Sequence, residues 1–116
     1  MSTWDEQIFT VDTNTDFLDE LVDLDFEEVF GAVRDAVLLA AKQDPSADEL
    51  LNGQAAATIA AIWAGAPFSA GEIAETYPFI RERPDEMDEQ LTESAAAVLE
   101  EADTDMDLEQ FLEALA

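Results

Sequence analysis

Apolar residues recur at helical spacing along almost the whole chain. An α-helix brings positions i, i+3, i+4 and i+7 onto one face. Phe17, Leu18, Leu21 and Val22 fit one such face, and Thr13 with Asp16 three residues on predicts a capping box at its start. Phe26, Val29, Phe30, Val33, Val37 and Ala40 form a longer stripe, with Asp25 and Glu28 at its start and Pro45 as its stop. Ser46 and Glu49 predict a second capping box, opening a short turn that ends at Asn52-Gly53. Residues 54–66 then carry no charge on any face. A helix apolar all round is a buried one, so this segment is expected at the centre, with Ile59, Ile62 and Trp63 supplying bulk among small alanines.

Beyond it, Ser69 and Glu72 open a short helix that ends at Tyr77-Pro78. Residues 78–84 read as an ordered connector, and Pro84 suits the first turn of the next helix. Met87, Leu91, Ala95, Val98 and Ala102 give that helix its face. Thr104 and Asp107 start a last helix, with Leu108, Phe111, Leu112 and Leu115 on its inner side. No window alternates as a strand does. The expected fold is all-α: one bundle-like domain over 1–116, about six helices around the Ala-rich centre. Residues 1–12 lack the helical pattern and are expected as an N-terminal arm packed on the bundle.

Composition supports a real core. Of 116 residues, 48 % are apolar. Surface scaling gives about 18,000 Å² exposed unfolded and about 6,200 Å² folded, so about two-thirds is buried without staples. The chain has no Cys and no His, which removes disulfides, thiolate zinc sites and the Ser-His-Asp and Cys-His catalytic groups. With 4 Gly in all, it has no glycine-rich phosphate loop. No cofactor and no metal is expected. The opening residues carry neither a basic nor an apolar signal region, so a cytoplasmic location is expected.

Charge changes the picture most. Twenty-nine Asp and Glu face four cations (Arg34, Lys42, Arg81 and Arg83), for a net −25. That field repels nucleic acid and anionic membranes, so neither is an expected partner. Most acids fall opposite the apolar stripes, as Asp19, Asp23, Glu27, Glu86, Glu89 and Glu93 do. Carboxylate catalysis needs burial that drives two pKa values apart, and solvated faces do not supply it. The chain is therefore expected not to be an enzyme. Two acidic runs, 12–23 and 103–107, put carboxylates at the first, third and fifth positions of a calcium loop. Neither has the glycine at the sixth position or the glutamate at the twelfth that such a loop requires.

The densest acidic run is Glu82, Asp85, Glu86, Asp88 and Glu89, offset only by Arg83. Five carboxylates along about 12 Å of helix give one charge per ~2.4 Å, against about 1.7 Å in duplex DNA. This run is the candidate partner-binding surface. Two functions are expected from it: a small non-enzymatic interaction module with an unknown protein partner, or an acidic inhibitor or nucleic-acid mimic seated in the basic site of a protein.

The N-terminal stretch carries the most specific signal. Trp4, Phe9, Asp12, Asp16, Phe17 and Leu18 match in spacing the opening of the domain of unknown function 4259 family, which the chain resembles. The Ala-rich segment 53–67 and the acidic, Leu-containing segment 98–115 are also similar to that family. The chain has Asp5-Glu6-Gln7-Ile8 where the family usually has glycines and a proline, and Val11 where it usually has Asn. The resemblance implies a small bacterial cytosolic protein and carries no catalytic residue. From the residues themselves, Trp4 and Phe9 are expected to anchor the arm, and Asp12 to cap a helix.

Overall fold

The computed structural model describes residues 4–42, 44–66, 71–80, 82, 89–102 and 108–115. Among them are seven α-helices and no strand: α1 Trp4–Thr10, α2 Asp12–Val22, α3 Phe26–Ala41, α4 Ala47–Trp63, α5 Gly71–Thr76, α6 Glu89–Glu100 and α7 Glu109–Leu115. A 3₁₀ turn, Pro78–Ile80, follows α5. The all-α expectation holds. The radius of gyration is 12.5 Å, close to the roughly 13 Å of a compact chain this long.

α4 is the hub, in contact with α1, α2, α3, α6, α7 and the 3₁₀ turn. Eleven consecutive residues, 53–63, are buried, as the absence of charge predicts. Its start is the predicted capping box: Ser46 Oγ accepts from the Glu49 N–H at 3.1 Å, and Glu49 Oε1 accepts from the Ser46 N–H at 2.9 Å. Its end is a Schellman motif. The Ala66 N–H returns to Ala61 O and the Gly65 N–H to Ile62 O, with Gly65 at φ 116°.

Asn52-Gly53 does not end a turn, as the sequence suggests; α4 runs straight through it. The reason lies across the interface. A Cβ on Gly53 would sit 2.0 Å from Ala40 Cβ and 3.0 Å from Ala36 O. Glycine is there because α3 and α4 approach too closely for any side chain. In the α3–α4 joint, Asp44 takes φ 53°, a conformation Asp tolerates better than most residues.

The N-terminal arm is corrected too. Residues 4–10 are helical, with Trp4, Asp5, Ile8 and Phe9 buried. Seven residues are too few to hold a helix unaided, so packing on α4 and α2 sustains it. The chain then turns at Val11, which takes the N-cap position of α2 with no side-chain bond. Neither Thr13 nor Asp12 caps this helix. Both lie within its first turn, because the helix begins earlier than the Thr13–Asp16 pair suggests. Asn14 instead reaches back, its Nδ2 donating to Ile8 O at 2.8 Å. That satisfies a carbonyl near the end of α1 and fixes the angle between the helices.

Stripe residues Val29, Val33, Val37 and Ala40 of α3 are buried. Asp25 is the N-cap of α3, again without a side-chain bond. Leu91, Ala95 and Val98 of α6 are buried, as are Leu108, Phe111 and Leu115 at the C-terminal end. Val22 is not; it is 41 % exposed beside Leu24. Trp63 stacks on Phe30, meets Phe26 edge-on, and donates from Nε1 to Phe79 O at 3.0 Å. The predicted cap pairs Ser69–Glu72 and Thr104–Asp107, and the roles of Pro84 and Met87, lie outside the described residues.

Candidate functional site

The sequence-predicted acidic run is described only at its ends. Glu82 follows the 3₁₀ turn, its N–H donating to Phe79 O at 3.2 Å, and Glu89 opens α6; both are exposed. Asp85, Glu86 and Asp88 lie outside the described residues. A second acidic surface is described in full. Asp12, Asp16, Asp19 and Asp23 fall on one face of α2 and its C-cap, and all are exposed. They span about 17 Å at 1.5 Å per residue. Because α2 is continuous from Asp12 to Val22, the calcium-loop candidate at 12–23 is a helix and has no loop to fold around an ion. The candidate at 103–107 lies outside the described residues.

The motif residues separate into two groups. Trp4 and Phe9 are core. Trp4 Nε1 donates to Thr58 Oγ1 at 2.9 Å, and that hydroxyl donates to Gln54 O at 2.8 Å. Phe17 is half-buried against the core, while Asp12 and Asp16 face solvent. Of the four buried polar residues among those described, Gln54 and Thr58 lie in the segment expected at the centre, while Asn14 and Asp5 escaped the sequence reading. Asp5 departs from the rule that acids here occupy solvated faces. Its position beside the Trp4 anchor was the only available signal, and it points inward because α1 is a helix rather than an extended arm.

Tyr77 links the acidic α2 face to the core. It is buried, and its hydroxyl donates to Asp19 Oδ1. That hydrogen bond, then burial, then the Asp19 charge push the phenol up from 10.0 to about 12. A raised folded-state pKa stabilises the protonated fold. The contribution is fully present below about pH 10 and is lost as pH rises to about 12. Tyr77 is the chain's single tyrosine, so phenolate absorbance reads it alone. The midpoint should lie near 12 in the folded protein; a midpoint near 10 would mean that Asp19 does not hold the phenol in solution. Tyr77→Phe should lose about 1 kcal/mol at neutral pH and show no such alkaline step.

A third feature is apolar. Phe17 of α2 and Ala32, Ala36 and Leu39 of α3 floor a groove of about 260 Å³. Asp35, Glu49 and Asn52 form its polar edge. A second depression, of about 380 Å³, shares Asp35 and Leu39 and adds Leu38. Glu49 also holds Lys42 at 3.1 Å. The Ser46 backbone N–H and then Lys42 hold its carboxyl below the ordinary carboxylate range. Among the described residues, no group of three or more carboxylates is placed to hold a metal ion. No described helix is long and apolar enough to cross a membrane.

These features define an acidic all-α bundle, assembled on a buried alanine-rich helix and decorated with open grooves. The chain belongs to the family described as Domain of unknown function (DUF4259), whose model matches residues 2–115. No curated protein and no solved structure matches it.

Proposed function

We propose that the protein is a small, non-enzymatic, cytoplasmic interaction module that acts by presenting its surface to another protein. The observation that carries this is how the chain divides its residues. α4 gives residues 53–63 to the interior without one ionisable group, while the acids of α2 and of the start of α3 stand outside. Such a division supplies a scaffold and a charged exterior, and keeps the acids of α2 and of the start of α3 away from the burial that carboxylate catalysis needs.

An alternative is favoured by one specific feature, the α2 stripe of Asp12, Asp16, Asp19 and Asp23. A regular row of carboxylates suits the basic site of a nucleic-acid-handling protein, and its field would steer encounter. The immobilised protein, incubated with lysate, should retain a discrete partner above a polyglutamate control. Release of a basic partner at high salt favours the inhibitor or mimic; retention at high salt favours an apolar contact. Recovery of nothing above the control at either salt would sink both readings.

A further inference from the structure

We propose that the groove between α2, α3 and the start of α4 is a docking site for a basic amphipathic segment of another protein, with a bulky apolar side chain seated on Leu39 and Phe17 and flanking Lys or Arg at Asp35. This rests on the interaction-module reading and assigns it a surface.

Three observations carry it. The first is apolar exposure without a partner. Leu39 is 43 % exposed and lies between two adjoining depressions, whereas Val29, Val33, Val37 and Ala40 of the α3 stripe are buried. The second is the chemistry of the rim. Asp35 and Glu49 are carboxylates, and Asn52, which also lines the groove, keeps a buried Oδ1 with no hydrogen-bond partner among the described residues. Glu49 already accepts from the Ser46 N–H and from Lys42, and the Asn52 oxygen is buried, so the exposed Asp35 carboxylate is the rim's acceptor for an incoming donor. Lys42, the cation at the edge, is already engaged by Glu49. The third is net charge. A second copy would bring another −25 to the same face, which long-range repulsion opposes. An acidic segment is opposed in the same way. A cationic segment is attracted, and its apolar side chain gains by leaving water.

The probe is a synthetic helical peptide with one leucine stripe on a lysine background, titrated into isotopically labelled protein and followed by amide shifts. The shifts should cluster at Phe17, Ala32, Ala36, Leu39 and Asn52. Replacing the peptide leucines by glycine should weaken binding about tenfold or more, as should Leu39→Ser, because a central apolar anchor is worth at least one decade of affinity. Leu39 is exposed, so an unchanged melting temperature should confirm that Leu39→Ser still folds.

Oligolysine binding as tightly as the leucine peptide, with shifts spread along α2, would overturn the proposal in favour of charge alone. Self-association that moves the same amides would overturn it in favour of a second copy. Absence of shifts in the groove would also overturn it. If Leu39→Ser still retains its lysate partner undiminished, the groove is refuted and the interaction-module reading stands.

Discussion

Trp4→Ala should cost about 4 kcal/mol of stability, the range for truncating a buried tryptophan. At roughly 4 °C per kcal/mol for a chain of this size, the melting temperature should fall by about 15 °C. Trp4 is 7 % exposed and bonds Thr58, 54 residues away in sequence. Its loss opens a cavity under α1 and removes the contact that holds this short helix on α4. Thr58 keeps its own bond to Gln54 O, so the hydroxyl is not stranded and most of the cost is lost packing. Trp4→Phe separates the parts. It keeps most of the bulk and should lose only about 1 kcal/mol, the worth of one buried hydrogen bond. Thermal and urea unfolding of both variants tests this. A Trp4→Ala loss below 1 kcal/mol would mean that α1 is not docked in solution.

The second large effect is at Gly53, where the usual rule reverses. In a helix interior, Gly→Ala normally stabilises by about 1 kcal/mol. Here the added methyl would meet Ala40 Cβ at 2.0 Å, with the Ala36 carbonyl at 3.0 Å behind it. The first neighbour sits on a rigid helix and the second is backbone, so neither yields cheaply. α3 and α4 would have to part along their shared interface. Overpacking of this kind costs roughly 1–3 kcal/mol and occasionally more. A net loss of about 3 kcal/mol is expected for Gly53→Ala. Adding Ala40→Gly moves the gap to the other helix and should recover part of the loss. The double variant should be more stable than the sum of the singles by about 1–2 kcal/mol. Additive behaviour, or a stabilised Gly53→Ala, would show that the helices do not approach this closely.

Both predictions mark the limit of what the sequence discloses. Read alone, Gly53 looked like punctuation after a short capped turn. The glycine answers to Ala40, thirteen residues earlier, and no local window contains that fact. Trp4 and Phe9 did read as anchors, and the structure buries both. What stayed hidden was that the segment bearing them is a helix. Its buried positions are Trp4, Asp5, Ile8 and Phe9, and an inward Asp breaks the apolar pattern by which such a short helix would be noticed.

The candidate surfaces follow the same division. That Asp19 and Asp23 lie on a solvated face was legible, because helical period alone places them away from Leu18 and Leu21. The Tyr77–Asp19 contact was not, nor was the groove under Leu39. Each depends on where an element distant in sequence comes to rest.

The sequence by itself determined the all-α class, the buried central helix, the capping box at Ser46 and the outward placement of most charge. These depend on local geometry: side-chain period, capping chemistry and the penalty for burying an unpaired carboxylate. Only the tertiary structure decided that α4 runs unbroken through Gly53, that residues 4–10 coil, that Asp5 and Asn14 turn inward, and that an apolar groove stays open on α3. Those outcomes are set by how closely helices far apart in sequence pack, a property of pairs of surfaces that no single stretch of sequence contains.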